Sequence, residues 1–312
     1  MVDGCPKCVN FLDGGILIAN GCDCLRIVTL CTVRRSDKLQ SSFSNPSSVL
    51  IINPWESAVF EKIAPVNKDR HANKRVKEIT SFSFASKFHV AYVTLQEFTR
   101  AASIFPIVFL EDKQKDEFRP VVLLGLKPGV NAFVDAQGKW QASYIPAVIR
   151  RYPFTLTPGG ADGQFIVCLD EDSSLVSETE GAALFDAEGK PTQVIENVKR
   201  YLTELQQMEI STREFCAFLA RHNMFTPLNL RVRESSGVKD IAGCYVINEE
   251  RLNNLSDELF LEIKNKRYLP AVYAHLISLA QTERLVKLQE GGADRESGPD
   301  AASGAQAQAA AP

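Results

Sequence analysis

Thr94-Leu-Gln-Glu-Phe-Thr-Arg-Ala-Ala-Ser-Ile-Phe-Pro-Ile-Val-Phe-Leu110 is the stretch on which the fold turns. Thr94, with Glu97 three residues on, makes a capping-box pattern, in which hydroxyl and carboxylate satisfy each other's backbone N–H groups at a helix start. Phe98, Ala101, Ala102 and Phe105 then recur at helical spacing, so a helix is predicted over Thr94–Ser103. Pro106 stops it, since proline excludes the residue before it from helical backbone. Ile107–Leu110 is apolar and β-branched, a buried strand, and Val121–Leu124 reads as a second.

Working outward, Ser81–Ala85 alternates polar and apolar residues as a half-buried strand does. Ala132–Trp140 reads as a hairpin turning at Asp135–Gly138. Tyr144–Leu156 reads as an extended run that Pro146 and Pro153 confine to an edge or irregular strand, and Gln164–Leu169 as another strand. The character then changes. Thr192–His222 carries helical periodicity, and Ser211 with Glu214 forms a second capping box that predicts two helices there. Leu228–Val232 and Gly243–Ile247 read as a small paired ribbon. Short helices are expected at Glu249–Leu252 and Asp257–Lys264, and a closing amphipathic helix over Pro270–Leu288.

Strands first and helices later favour an α+β fold, with a mostly antiparallel sheet in the N-terminal two-thirds and a helical C-terminal third. The fold is expected to occupy residues 59–288 of the 312. Residues 1–58 show no period of 2 or 3.6, hold five of the eight cysteines, and read as a disordered or mis-annotated leader; Met1 is the only methionine before Met208. Cys5-Pro-Lys-Cys8 with Cys22-Asp-Cys24 offers one good zinc knuckle and a poor second half, so no zinc is expected. Residues 289–312, rich in Gly, Ala, Ser and Gln, lack the apolar surface to offset ordering and read as a disordered tail.

A net charge of -3 gives no electrostatic case for nucleic acid. No apolar run reaches the ~18–20 residues of a membrane span. The three cysteines of the body, Cys168, Cys216 and Cys244, look like buried hydrophobes of a reducing compartment, which points to a soluble cytoplasmic protein. Val59–Lys77 is basic and is read as a solvated segment rather than an anion patch, since Phe60 alone supplies an aromatic.

Dinucleotide and P-loop glycine motifs are missing, as are a nucleophile elbow and any histidine pair at ligand spacing, so no cofactor and no metal are expected. Gly159-Gly160-Ala-Asp-Gly163 joins two strands and is a turn. Asp170 and Asp172 are weaker candidates for a carboxylate-bound metal, with His71 as a distant partner. His275 reads as a packed helical histidine with one ring nitrogen satisfied. The strongest candidate is Tyr144-Ile-Pro-Ala-Val-Ile-Arg-Arg-Tyr-Pro-Phe154. On a strand Arg150 and Arg151 would face opposite ways, so one must be buried and paired, or line a cavity. Two readings compete: Tyr144, Arg150, Arg151, Tyr152 and Phe154 form a recognition surface, or the arginines pair with the acids near Asp170 while the aromatics fill the core.

Val66-Asn-Lys-Asp-Arg-His-Ala72, Glu97-Phe98 with Ala101-Ala102, Phe105-Pro-Ile-Val-Phe109, and Tyr144–Phe154 resemble the bacterial SapC family. Val246-Ile-Asn-Glu-Glu-Arg-Leu252, Asp257-Glu-Leu-Phe-Leu261 and Tyr273-Ala-His-Leu-Ile-Ser-Leu279 do likewise, and the similarity spans roughly Phe60–Leu288. The resemblance implies an association with surface-layer proteins, TonB-dependent receptors or tryptophan-halogenase-like proteins. It supplies no catalytic residues. The expected function is a non-enzymatic accessory or binding protein; the alternative is an enzyme that modifies a peptide or small molecule.

Overall fold

The computed structural model describes residues 60–159, 164–234 and 237–296. Four expected features lie wholly or partly outside them: the leader, with its zinc reading of Cys5, Cys8, Cys22 and Cys24; residues 160–163 of the glycine turn; the tip of the C-terminal ribbon; and the tail beyond residue 296.

The chain opens with strand β1 (Ile63–Pro65), a helical turn α1 (Lys68–His71) and strand β2 (Arg75–Val76). Strand β3 (Val90–Tyr92) leads to a 3-10 turn at Leu95–Glu97 that runs directly into α2 (Phe98–Ala101). The hairpin β4 (Ile107–Asp112) and β5 (Glu117–Leu123) follows, then α3 (Ala147–Arg150), β6 (Phe154–Gly159) and β7 (Gln164–Asp170). Short strands β8 (Val176–Ser177) and β9 (Ala182–Ala183) precede the long helix α4 (Gln193–Arg221). The ribbon β10 (Phe225–Glu234) and β11 (Gly237–Ile247) is followed by helices α5 (Glu249–Asn253), α6 (Asp257–Asn265), α7 (Leu269–Ser278) and α8 (Gln281–Glu296).

The fold is α+β, with every strand pairing antiparallel. A five-stranded sheet runs β10-β11-β4-β5-β3, so the late ribbon joins the early hairpin through Tyr245 opposite Phe109. Two three-stranded sheets run β1-β7-β6 and β8-β2-β9. Two hydrophobic clusters result. The larger holds the fully buried Phe98, Phe105, Phe109, Phe133, Phe215 and Phe218; the smaller holds Phe154, Leu169, Leu184, Ile195 and Leu202. Helix α4, 29 residues and about 43 Å long, contributes to both: Ile195 and Leu202 to the smaller, Phe215 and Phe218 to the larger.

Several local expectations hold. The Thr94 N–H donates to the Glu97 carboxylate at 2.8 Å, closing the capping box. The two short helices expected after the ribbon also form, with caps that were not anticipated: Ser256 accepts from the Leu259 N–H at the start of α6, and Asn248 from the Arg251 N–H at the start of α5. The turn at Asp135–Gly138 forms as read, with Gly138 at φ 77°, a backbone that favours glycine. The Ala132–Trp140 hairpin, however, contains only a single bridge, Val134 to Trp140.

Other expectations are corrected. Ser81–Ala85 is not a strand. It contains a 3-10 turn at Ser83–Ala85, because Phe82 packs edge-on to Trp140 while Phe84 stacks on Tyr152, two destinations that a flat strand face could not serve. Tyr144–Leu156 is interrupted by α3. The buried Glu97 carboxylate accepts from the Ala147 N–H at 2.8 Å, and the Tyr201 hydroxyl donates to the Ala147 carbonyl at 2.9 Å, which hold that turn helical. Helix α4 does not break at Ser211. The Ser211 and Thr212 hydroxyls donate to the carbonyls of Gln207 and Met208 one turn back, and packing on both sides keeps the backbone helical. The closing helix does break, between α7 and α8. Ser278 Oγ donates to the His275 carbonyl at 2.6 Å and accepts from the Ile107 N–H at 2.9 Å, while Leu279 and Ala280 tighten into i→i+3 bonding. Finally, α8 runs to Glu296, eight residues past the expected end of the domain.

Candidate functional site

A cavity of about 300 Å³ opens where the edge of the five-stranded sheet meets α3, α4 and the β6–β7 hairpin. Its walls draw on both hydrophobic clusters: Ile149 belongs to the larger and Leu202 to the smaller. An aromatic wall comes from several segments. Phe84 stacks on Tyr152 with ring centroids 4.3 Å apart, Phe60 tilts against the same tyrosine at 5.6 Å, and Phe118 faces in from β5. Small apolar residues, Ala91 and Val148 among them, leave the space between.

Charge enters this wall asymmetrically. Among the described residues, Lys115, Arg119, Arg151 and Arg213 line the cavity, against one lining carboxylate, Glu209. Arg151 is buried at 7% exposure, with its guanidinium carbon 5.8 Å from the Phe60 ring centre. Arg119 is held from outside the lining by Glu117 at 3.5 Å. Lys115 and Arg213 are exposed and mark the mouth. Tyr92 lies at the polar end. Burial, reinforced by the Glu209 carboxylate, raises its phenol above the ordinary range, with Thr212 and Arg119 pulling the other way.

On the other side of α3 is a smaller recess of about 250 Å³. Tyr144 sits there between two guanidinium groups, Arg100 at 4.9 Å and Arg150 at 5.7 Å from its ring centre; Arg150 is also 5.7 Å from Tyr201. The Tyr144 hydroxyl donates to Glu97 at 2.6 Å, and burial with that carboxylate pushes its pKa upward.

The recognition segment is therefore divided by α3. Tyr144 and Arg150 line the smaller recess, Arg151 and Tyr152 the larger cavity, and Phe154 lies in the smaller hydrophobic cluster. Arg150 and Arg151 do diverge, one exposed and one buried. The reason is a helical turn, where successive side chains are about 100° apart, and not the strand alternation expected.

The weaker candidates do not converge. His71 is fully buried, and its Nε2 lies 3.2 Å from Glu171, the middle acid of the Asp170-Glu171-Asp172 run. Arg70 binds Glu171 with both Nε and Nη2, and this hydrogen bonding is the first cause of its lowered pKa. Asp170 is buried in a structural role: it accepts from the Lys62 N–H at 2.9 Å, the Glu61 N–H at 3.2 Å and the Tyr152 hydroxyl at 3.2 Å. Burial pushes the Tyr152 phenol up to about 12. Asp172 is half-exposed and only 4.0 Å from Lys62. Asp170, Asp172 and His71 thus share no ligand position, and among the described residues no group of three or more His, Cys, Asp or Glu side chains could hold a metal ion. His275 is fully buried beside Phe109; its Nε2 accepts from the Ile247 N–H at 3.0 Å, and burial lowers its pKa to about 4.

The basic N-terminal segment is matched by acids that follow β7. Lys62 and Arg70 meet Glu171, Lys74 meets Glu178 at 2.7 Å, and Lys77 meets Glu180 at 3.7 Å. Cys168, Cys216 and Cys244 are unpaired and buried. No helix among the described residues is long and apolar enough to cross a membrane.

Sequence reasoning missed Tyr92, Arg119, Glu209 and Arg213. The one local signal was the i, i+4 spacing of Glu209 and Arg213 on α4; Phe118-Arg119 became legible only once β5 was paired. The family model described as SapC matches residues 66–285. No curated protein and no solved structure matches the chain.

Proposed function

Since the chain belongs to the SapC family, we propose that it is a non-catalytic binding protein that holds a small organic molecule in the larger cavity. The observation that carries this reading is the composition of that cavity: a stacked aromatic wall with a buried arginine in it. Concave apolar sites with a few fixed polar groups are where proteins hold small ligands. The lining supplies one carboxylate and, among the described residues, no histidine, cysteine or serine, which suits holding a molecule better than transforming it. His71, Asp170, Asp172 and His275, the residues on which an enzymatic reading would rest, lie outside the cavity in structural contacts.

The cellular setting is part of the proposal. The protein acts as a cytoplasmic accessory to surface-layer or TonB-dependent uptake systems, with tryptophan-halogenase-like proteins as further candidate partners. The test is purification of the full chain from native cells, followed by mass spectrometry of both co-purifying small molecules and proteins. Val148→Trp, which fills the cavity, should lose the small molecule and keep the fold. Recovery of the same small molecule from wild type and Val148→Trp would refute the cavity as its site.

A further inference from the structure

Helix α7 is built inside out. From Leu269 to Ala280 the chain has no Asp, Glu, Lys or Arg, and the two polar side chains His275 and Ser278 are fully buried. Its outward positions are apolar instead: Pro270, Tyr273 and Ile277 are exposed on α7, and Ala280 in the turn that follows. At about 100° per residue the first three fall within about 60° of arc, one stripe along the helix. A helix face left to water ordinarily carries charge, and a helix that is apolar all round is ordinarily covered. Among the described residues, four of the seven large apolar side chains that stand exposed lie on α6 and α7: Phe260, Leu261, Tyr273 and Ile277. No residue of α7 lines either cavity, so this face is separate from the site above.

The spacing of the stripe fits a second copy of the same chain. Positions 270, 273, 277 and 280 are separated by three, four and three residues, the same read from either end. Two copies laid antiparallel about a two-fold axis through the middle of the helix therefore bring Tyr273 of each against Ile277 of the other, and Pro270 of each against Ala280 of the other. A two-fold interface has to be self-complementary in this way, residue i on j and j on i. The area agrees. With a fully exposed large side chain taken as ~200 Å², Tyr273 at 48% and Ile277 at 68% exposure leave roughly 230 Å² open. Phe260, Leu261, Pro270 and Ala280 bring the apolar surface of α6 and α7 to roughly 500 Å² on the same scale. A standard interface buries about 800 Å² on each partner, about 65% of it apolar in homodimers, which is again roughly 500 Å². A lipid surface fits less well. Helix α6 and its link to α7 expose Asp257, Glu258 and Glu262 together with Lys264, Lys266 and Arg267. That balance has no net positive charge to draw anionic headgroups, and it has both signs for the polar rim of a protein interface.

We infer that α7 is the centre of a two-fold interface between two copies of this chain, packed antiparallel with Tyr273 of each copy against Ile277 of the other. Phe260 and Leu261 of α6 widen it, and the charges of α6 form its rim.

Size-exclusion chromatography with light scattering on the full chain tests this. Between about 1 and 100 µM the mass should rise to twice 34.5 kDa, since interfaces of this size hold with micromolar or tighter dissociation constants. Ile277→Lys should raise the dissociation constant at least about a hundredfold, because the two-fold places each lesion in the interface twice. Its far-UV spectrum should be unchanged, the side chain being exposed. Val130→Lys, exposed elsewhere on the molecule, should leave the dimer intact. Mixed variants read the register. Tyr273→Lys mixed with Ile277→Glu should form a dimer, in which one lysine meets one glutamate and the other contact is native. Ile277→Lys mixed with Ile277→Glu should not. Rescue of the second mixture, or of neither, overturns the antiparallel register. A chain that stays monomeric at about 100 µM, or a dimer that Ile277→Lys leaves intact, overturns the interface. If the monomer instead sediments with phosphatidylglycerol vesicles and Ile277→Lys prevents this, the face belongs to a lipid surface; if it does not sediment, the face belongs to a different protein.

Discussion

Glu97 is the residue whose loss the structure makes most costly. It is 7% exposed, and each of its carboxylate oxygens serves two donors. Oε2 accepts from the Thr94 N–H and Thr94 Oγ1–H, both at 2.8 Å. Oε1 accepts from the Tyr144 hydroxyl at 2.6 Å and the Ala147 N–H at 2.8 Å. The side chain therefore both caps the turn before α2 and fastens α3 in place. Glu97→Ala strands these four donors. A buried donor without a partner costs about 1–3 kcal/mol; the smaller recess adjoins Glu97, so water can rescue about half of them. The expected loss is about 3–5 kcal/mol in urea unfolding followed by far-UV circular dichroism. Tyr144→Phe alone removes one donor and should cost about 1–2 kcal/mol. The double variant should lose about 1–2 kcal/mol less than the sum, because the orphaned hydroxyl is gone. A Glu97→Ala loss below about 1 kcal/mol, with strictly additive variants, would refute the view that this carboxylate organises α3.

Three further outcomes follow from the same contacts. His275 has a folded pKa of about 4 against an ordinary 6.5, so the unfolded chain takes up the proton first; stability should be complete above pH 6.5 and fall by on the order of 3 kcal/mol as the pH drops to 4, then level off. Urea midpoints across pH 4–7.5 measure this, and an unchanged slope in His275→Gln would sink it. Arg151→Ala should lower stability by about 2–4 kcal/mol and Arg150→Ala by under about 1 kcal/mol, given one buried and one exposed guanidinium; equal losses in thermal melts would contradict the division made by α3. A chain ending at Leu288 should be less stable than one ending at Glu296 by about 1–2 kcal/mol, since it deletes Gln289, whose side-chain oxygen accepts from the Leu126 N–H at 3.0 Å; coincident urea curves would restore the shorter boundary.

Much was legible from local pattern alone. The capping box at Thr94 and Glu97, the strands at Ile107–Leu110 and Val121–Leu124, the short helices after the ribbon, the α+β class and the family were all readable. Each depends on residues within a few positions of one another, where propensity, hydrogen-bonding chemistry and periodicity act directly. His275 was likewise readable as a packed histidine with one nitrogen satisfied, because an apolar helical face leaves an imidazole little else to do.

What the linear pattern could not carry was decided at a distance. Ser211 with Glu214 has the letters of a helix start, yet α4 runs through it, since its two halves pack into two separate clusters and the hydroxyls turn back on their own helix. The same holds for Tyr144–Phe154, whose aromatics and arginines were found by composition but assigned to a strand. Its helical turn is set by a carboxylate fifty residues earlier, Glu97, and a hydroxyl fifty-four residues later, Tyr201. The cavity is the extreme case, assembled from segments between Phe60 and Arg213 that touch only after the sheets have formed. Local sequence thus determined which elements could form and how they begin; tertiary packing decided where they stop and which side chains meet, because those outcomes depend on burial and long-range hydrogen bonds that no window of neighbouring residues contains.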